Sequence, residues 1–84
     1  MITILYFASL REQLNKASEQ LECPGAVSSV GELRKWLCER GSPWSQVLDT
    51  DALVMMSINH KMADPGSEIK DGDEIAFFPP VTGG

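Results

Sequence analysis

Ser29-Val30-Gly31-Glu32-Leu33-Arg34-Lys35-Trp36-Leu37-Cys38-Glu39-Arg40-Gly41 is the stretch on which the fold turns. It opens as a capping box: Ser29 can accept from a free N–H of the first turn, and Glu32 can reach back. Val30, Leu33 and Leu37 then recur at helical spacing, with Trp36 beside them, so one stripe is apolar. Gly41 supplies a stop, and Pro43 lies just past it. This is the main helix, and the segments on either side of it read mostly as strands.

Toward the N-terminus, residues 1–7 alternate. Ile2, Ile4 and Tyr6 take one face, Leu5 and Phe7 the other. Ser9-Leu10-Arg11-Glu12 has the capping-box form again, Leu10 and Leu14 share a face, and Asn15 is a stop, which predicts a short helix leaning on the core. Ser18 to Cys23 reads as a strand closed by Pro24-Gly25. Toward the C-terminus, Pro43 at a first helical position starts a short turn that directs Trp44, Val47 and Leu48 inward. Leu53 to Asn59 reads as a strand with Val54, Met56 and Ile58 on one face. A loop runs through Asp64-Pro65-Gly66, and Ser67 to Ile69 can pair briefly. Asp71-Gly72-Asp73 marks a turn, and Glu74 to Phe78 is the last strand. Ile75 and Phe77 share one of its faces, Ala76 and Phe78 the other.

Strands before and after one long helix predict an α+β domain with that helix on one face of a mixed sheet. The opposite face is then uncovered. Leu5, Phe7, Met55 and Phe78 are its candidates, and a patch of large apolar side chains marks a protein interface.

The chain has 84 residues, which suits a single body over residues 1–78 and an extended, flexible tail over residues 79–84. A net charge of −5 disfavours nucleic acid and anionic membrane as partners and fits a basic docking surface. Glu68, Asp71, Asp73 and Glu74 form an acidic stretch that can steer such docking. No run of about 20 apolar residues spans a membrane, and the N-terminus reads as a strand rather than a signal peptide, so the cytoplasm is the expected location. Cys23, Cys38 and the single His60 make a poor zinc set, and no metal site is expected. Met55, Met56 and Met62 read as gap-fillers.

The tail Pro79-Pro80-Val81-Thr82-Gly83-Gly84 carries the chemistry. Pro79 ends the strand, because it has no N–H for a ladder. Pro79-Pro80 favours a polyproline II start that aims the remainder away from the body. Six extended residues reach roughly 20 Å. Gly83 and Gly84 lack side chains, so the backbone fits a narrow channel. The reactive group is then the Gly84 α-carboxyl, ionised at neutral pH with a pKa of about 3.5. A carboxylate is a poor electrophile and needs activation, most simply as an acyl-adenylate. The activated acyl group can then accept sulfur, an amine or a thiol.

Phe77-Phe78-Pro79-Pro80-Val81-Thr82-Gly83-Gly84 resembles the C-terminal signature of molybdopterin synthase small subunits, the ubiquitin-like ThiS/MoaD-type family. Asp71-Gly72-Asp73-Glu74-Ile75-Ala76 and the opening Leu5-Tyr6-Phe7-Ala8-Ser9-Leu10-Arg11-Glu12 fit the same family. The resemblance implies a β-grasp fold and no permanently bound cofactor. It implies an adenylating enzyme related to ubiquitin activators, which charges Gly84 with AMP, and a sulfurtransferase that converts the glycyl adenylate to a thiocarboxylate (1-thioglycine). It further implies docking of Leu5, Phe7, Phe78, Pro79, Pro80, Val81 and Thr82 on a large synthase subunit, two small subunits flanking two large ones. Sulfur then passes to cyclic pyranopterin monophosphate, with acid–base residues supplied by the large subunit. Sulfur carriers for thiamin or tRNA thiolation, and ubiquitin-like protein modifiers, share the Gly-Gly end and stand as alternatives, beside a plain interaction domain with an inert tail.

Overall fold

The computed structural model describes residues 1–80. The order is β1 (Ile2–Tyr6), α1 (Ala8–Leu14), β2 (Ser18–Leu21), α2 (Val30–Cys38), α3 (Trp44–Val47), β3 (Met55–Ile58), β4 (Lys61–Met62) and β5 (Glu74–Phe78). The strands form one mixed sheet in the order β2-β1-β5-β3-β4. β1 and β5 run parallel at its centre, while β2, β3 and β4 pair antiparallel outward. This is the β-grasp arrangement.

The centre of the sheet follows from side-chain alternation. Ile2, Ile4 and Tyr6 of β1 are buried, as are Ile75 and Phe77 of β5. Val30, Leu33 and Leu37 of α2 pack onto them with no exposed surface. Leu10, Leu14 and Leu48 join the same core, so α1 and the end of α3 lie on the α2 side of the sheet. Burying each such side chain contributes about 2 kcal/mol.

The capping box of α2 forms with one shift. The Glu32 N–H donates to Ser29 Oγ at 3.3 Å, but the Glu32 carboxylate reaches past Ser29 to accept from the Ser28 N–H at 3.0 Å. Gly31 is where the helix start meets the 64–66 loop. Its N–H donates to the Pro65 carbonyl at 2.9 Å, and a Cβ there would sit 2.9 Å from the same oxygen. Glu68 bridges back to Ser29, which is the brief pairing expected near 67–69.

Several local expectations need correction. Ser9 does not cap α1: the N-cap is Phe7, whose carbonyl accepts from the Leu10 and Arg11 N–H groups, and no side chain caps the end. The helix begins a residue too early for Ser9, which falls inside the first turn. Pro43 is the N-cap of α3 rather than its first helical residue. β3 starts at Met55, leaving Leu53 83% exposed. The loop after β3 contains a further strand. Asn59 and His60 take left-handed backbone angles, φ 51 and 71, and make a two-residue turn that returns the chain as β4. Asn15, with φ 53, does end α1, and Gly72, with φ 89, does make the last turn.

Two polar devices tie α2 to the segment after α3 and to the β2 edge of the sheet. Arg34 is 9% exposed and donates to the carbonyls of Leu48, Asp49 and Ala52, closing the segment after α3. At the β2 edge, Arg40 donates two hydrogen bonds to Glu19 at 2.8 and 2.9 Å, and its guanidinium lies about 5 Å from the Trp36 and Trp44 ring centres. The Tyr6 hydroxyl donates to Glu19 and accepts from Trp44 Nε1. Burial pushes the Tyr6 phenol up, and it stays neutral.

Burial works against the Glu19 carboxylate, but hydrogen bonds from Arg40 and Tyr6 outweigh it and hold Glu19 below its ordinary value of 4.5. A folded-state value below the unfolded one means that the unfolded chain takes up the proton first. The pairing therefore stabilises fully above the ordinary carboxylate range and is lost as pH falls through it. Urea unfolding of Glu19→Gln should show a deficit at pH 7 that narrows steadily below pH 4.5; a deficit constant with pH would remove the pairing from the stability of the fold.

Candidate docking face and tail root

The face of the sheet opposite α2 carries the residues that β1, β5, β3 and β4 turn away from the core. Register aligns them in rows. Leu5 stands opposite Ala76, Ala76 opposite Ser57, and Ser57 opposite Met62. One step toward the end of β5, Phe78 stands opposite Met55, and the Phe7 N–H donates to the Phe77 carbonyl at 3.1 Å, which brings Phe7 alongside. The rows are apolar except for Ser57. Phe7 is 45% exposed, Met55 38% and Met62 62%, while Leu5 and Phe78 are half-buried by their neighbours. Among the described residues no helix covers this face, because the short helices pack on the other one.

One step the other way, Thr3 stands opposite Glu74, so the face turns polar toward the start of β5. Its apolar end is the end from which the chain leaves at Pro79. Pro79 and Pro80 are half-buried, so the root of the tail still lies partly against the body. Val81, Thr82, Gly83 and Gly84, four of the predicted site residues, lie outside the described residues.

The structure thus brings together Leu5, Phe7, Met55 and Phe78, as the alternation predicts, and sets Pro79 beside them. It adds Met62, read from sequence as a gap-filler. The signal for Met62 was present in Asn59-His60: a two-residue hairpin turn puts residue 62 opposite residue 57. The acidic stretch is less free than its composition suggests. Asp71 pairs with the N-terminal amine, Asp73 accepts from Asn59 and from the Lys70 N–H, and Glu74 lies 3.3 Å from His60.

Neither thiol is arranged as a nucleophile. Cys23 Sγ donates to the Val27 carbonyl at 3.3 Å, and Cys38 Sγ to the Leu48 carbonyl at 3.2 Å. Burial pushes the Cys38 thiol up, which reduces its thiolate fraction. No helix among the described residues is long and apolar enough to cross a membrane.

Comparisons with known proteins place this geometry. The sequence profile of the ThiS family matches residues 4–84. A Haemophilus influenzae protein named molybdopterin synthase sulfur carrier subunit is 39% identical over 84 residues, covering 100% of both chains. A Pyrococcus furiosus structure, described as a candidate subunit 1 of molybdopterin converting factor, superposes with a TM-score of 0.75 at 27% identity and covers 95% of this chain and 97% of that one. The fold also recurs, with a TM-score of 0.63 at 22% identity over 99% of this chain and 97% of the other, in a complex of subunits 1 and 2 of molybdopterin converting factor from Helicobacter pylori. The chain belongs to the ThiS family of ubiquitin-like β-grasp proteins, and relatives that match it over its full length are named molybdopterin synthase sulfur carrier subunits.

Proposed function

We propose that this chain is the sulfur carrier of molybdopterin synthase and that its reagent is the Gly84 carboxyl. The observation that carries the reading is full-length similarity to named sulfur carrier subunits, with an open apolar sheet face ending where the tail begins. The Gly84 carboxylate attacks the α-phosphorus of ATP on an adenylating enzyme, and pyrophosphate leaves. A persulfide sulfur on a sulfurtransferase then attacks the acyl carbon and AMP leaves; a thiol reductant cleaves the S–S bond of the resulting acyl disulfide, supplying two electrons, and frees the thiocarboxylate. In the large subunit the thiocarboxylate sulfur bonds to a side-chain carbon of cyclic pyranopterin monophosphate as the C–O bond at that carbon breaks and its oxygen group leaves. Hydrolysis of the acyl–sulfur bond then returns the Gly84 carboxylate and leaves the sulfur on the pterin. Two such transfers build one dithiolene.

In this scheme the body is a handle. The rows around Phe78 dock on the large subunit and on the adenylating enzyme, and Pro79-Pro80 aim Gly83-Gly84 into each active site. The tail and the pterin phosphate are both anionic, so the partner's site needs Lys and Arg to hold them. Two small subunits flank two large ones. The cytoplasm, where ATP and the pterin precursor are available, is the place of action.

Complementation tests the reading. The chain should restore molybdenum-cofactor synthesis to a strain lacking its own synthase small subunit, and should leave thiamin and thiolated-tRNA deficits unrepaired; rescue of either of the latter alone would assign a different sulfur carrier. A modifier would instead yield high-mass conjugates that depend on Gly84. Phe7→Ala and Phe78→Ala should each weaken large-subunit binding by about 1 kcal/mol or more, read as a dissociation constant. Unchanged constants for both would take the open face out of the interface.

A further inference from the structure

The open face carries two exposed thioethers on one margin. Met55 on β3 stands directly opposite Phe78 on β5, and Met62 on β4 stands opposite Ser57 on β3. Met55 and Ser57 share a face, so Met62 lies diagonally across from Met55, at a backbone separation of about 7 Å. The pairing continues one residue farther, since the Ala63 N–H donates to the Met56 carbonyl at 3.0 Å, and this fixes the hairpin that holds both side chains in place. Met56, between them in register, points the other way and is 5% exposed. Met1 is 57% exposed but sits at the opposite end of β1, beside Asp71 and Gly72. Two of the three exposed methionines therefore lie on the apolar rows, and a third and a fourth provide an off-face and a buried reference.

We propose that Met55 and Met62 are a modification site: hydroperoxides oxidise the pair in the free protein, and the resulting sulfoxides keep the chain from docking on its partner. The inference rests on the reading that this face docks. In the reaction the sulfur lone pair attacks one peroxide oxygen, the O–O bond breaks, and the other oxygen leaves as water or alcohol; sulfur is oxidised by two electrons and the peroxide reduced by two. The product carries a strongly polar S=O where the rows offer only Leu5, Phe7, Ala76 and Phe78 and the hydroxyl of Ser57. Burying that oxygen against an apolar partner without a donor is unfavourable. A docked partner covers the same sulfurs, so the modification belongs to the uncomplexed state.

The purified full chain, treated with hydrogen peroxide, is mapped by peptide mass for oxygen gain at each methionine, and its affinity for the large synthase subunit is measured before and after. Met55 and Met62 should gain oxygen well before Met56, and affinity should fall at least tenfold. Treatment with methionine sulfoxide reductases should restore it. Whatever basal affinity the double variant Met55→Leu/Met62→Leu shows, it lacks the oxidisable sulfurs and should keep that affinity, within about threefold, through the same treatment. Full affinity with both sulfoxides formed would overturn the proposal, as would an equal loss in the leucine variant. If the untreated chain binds and Phe78→Ala weakens it while oxidation changes nothing, only the switch fails. If the untreated chain does not bind, the docking reading fails and the switch with it.

Discussion

Deletion of Gly84, or addition of one residue after it, should reduce sulfur transfer to background while leaving thermal unfolding unchanged. The two variants fail for different reasons. Adding a residue turns the Gly84 carboxylate into an amide, so the reacting carbon can no longer be adenylated. Deleting Gly84 leaves a carboxylate but withdraws it by about 3.5 Å, the length of one extended residue. A misplacement of about 1 Å at a reacting atom already costs about a hundredfold in rate. Among the described residues the buried core draws on none beyond Phe77, so neither change should touch what holds the body together. A lengthened chain that transfers sulfur at the wild-type rate would show that the end of the polypeptide is not the reagent.

Arg34→Ala should be the most destabilising single change outside the apolar core, at about 3 kcal/mol by urea unfolding. The guanidinium donates to three carbonyls, two of them at 2.8 Å, in a site with 9% exposure. Truncation removes the donor from a buried Leu48 carbonyl, which keeps only the weak Cys38 thiol, and from the partly buried carbonyls of Asp49 and Ala52. It also frees the segment 49–52 that leads from α3 into β3. Out of a total of roughly 4–13 kcal/mol for a chain this size, that is a large share. Arg34→Lys should recover less than half, because a single ammonium lacks the planar fork that spans three acceptors. The docking face lies on the other side of the sheet, so the folded fraction of either variant should bind the large subunit normally. A loss below 1 kcal/mol for Arg34→Ala would mean that the three carbonyls find other partners.

Arg34 also shows what sequence could and could not give. Val30, Leu33, Arg34 and Leu37 occupy one helical stripe, and reading the apolar members alone was enough to place α2 on the sheet. The charged member of the stripe was the sign of a buried polar anchor, but its acceptors are backbone carbonyls, which every segment has, so no pattern names them. The β-grasp order came from the resemblance of the tail and the opening segment to the family, whereas the two central strands were legible because β1 and β5 alternate cleanly, with Ile2, Ile4 and Tyr6 matched by Ile75 and Phe77. Strand β4 was not, because two residues are too few to show a period, and its existence depends on the left-handed turn at Asn59 and His60. The Ser9 cap failed because a capping box is defined by spacing, whereas the start of α1 is fixed by where β1 ends.

The docking face was legible in part for the same reason. Alternation assigns Leu5, Phe7, Met55 and Phe78 to one side of their strands, but only register shows that they meet in rows, and register brought in Met62. The role of Gly83 and Gly84 rests on chemistry rather than on packing. It is a proposal that draws on a side-chain-free end, two prolines expected to aim it, and relatives named sulfur carrier subunits.

Intact-mass spectrometry of the chain co-expressed with its adenylating enzyme and a sulfur source tests that role most directly. The expected spectrum contains a species heavier by the difference between one sulfur and one oxygen, with the change mapping to Gly84 and absent from the chain with a residue added after it. Unmodified protein alone under those conditions, or sulfur found on Cys23 or Cys38 instead, would contradict the C-terminal carboxyl as the carrier.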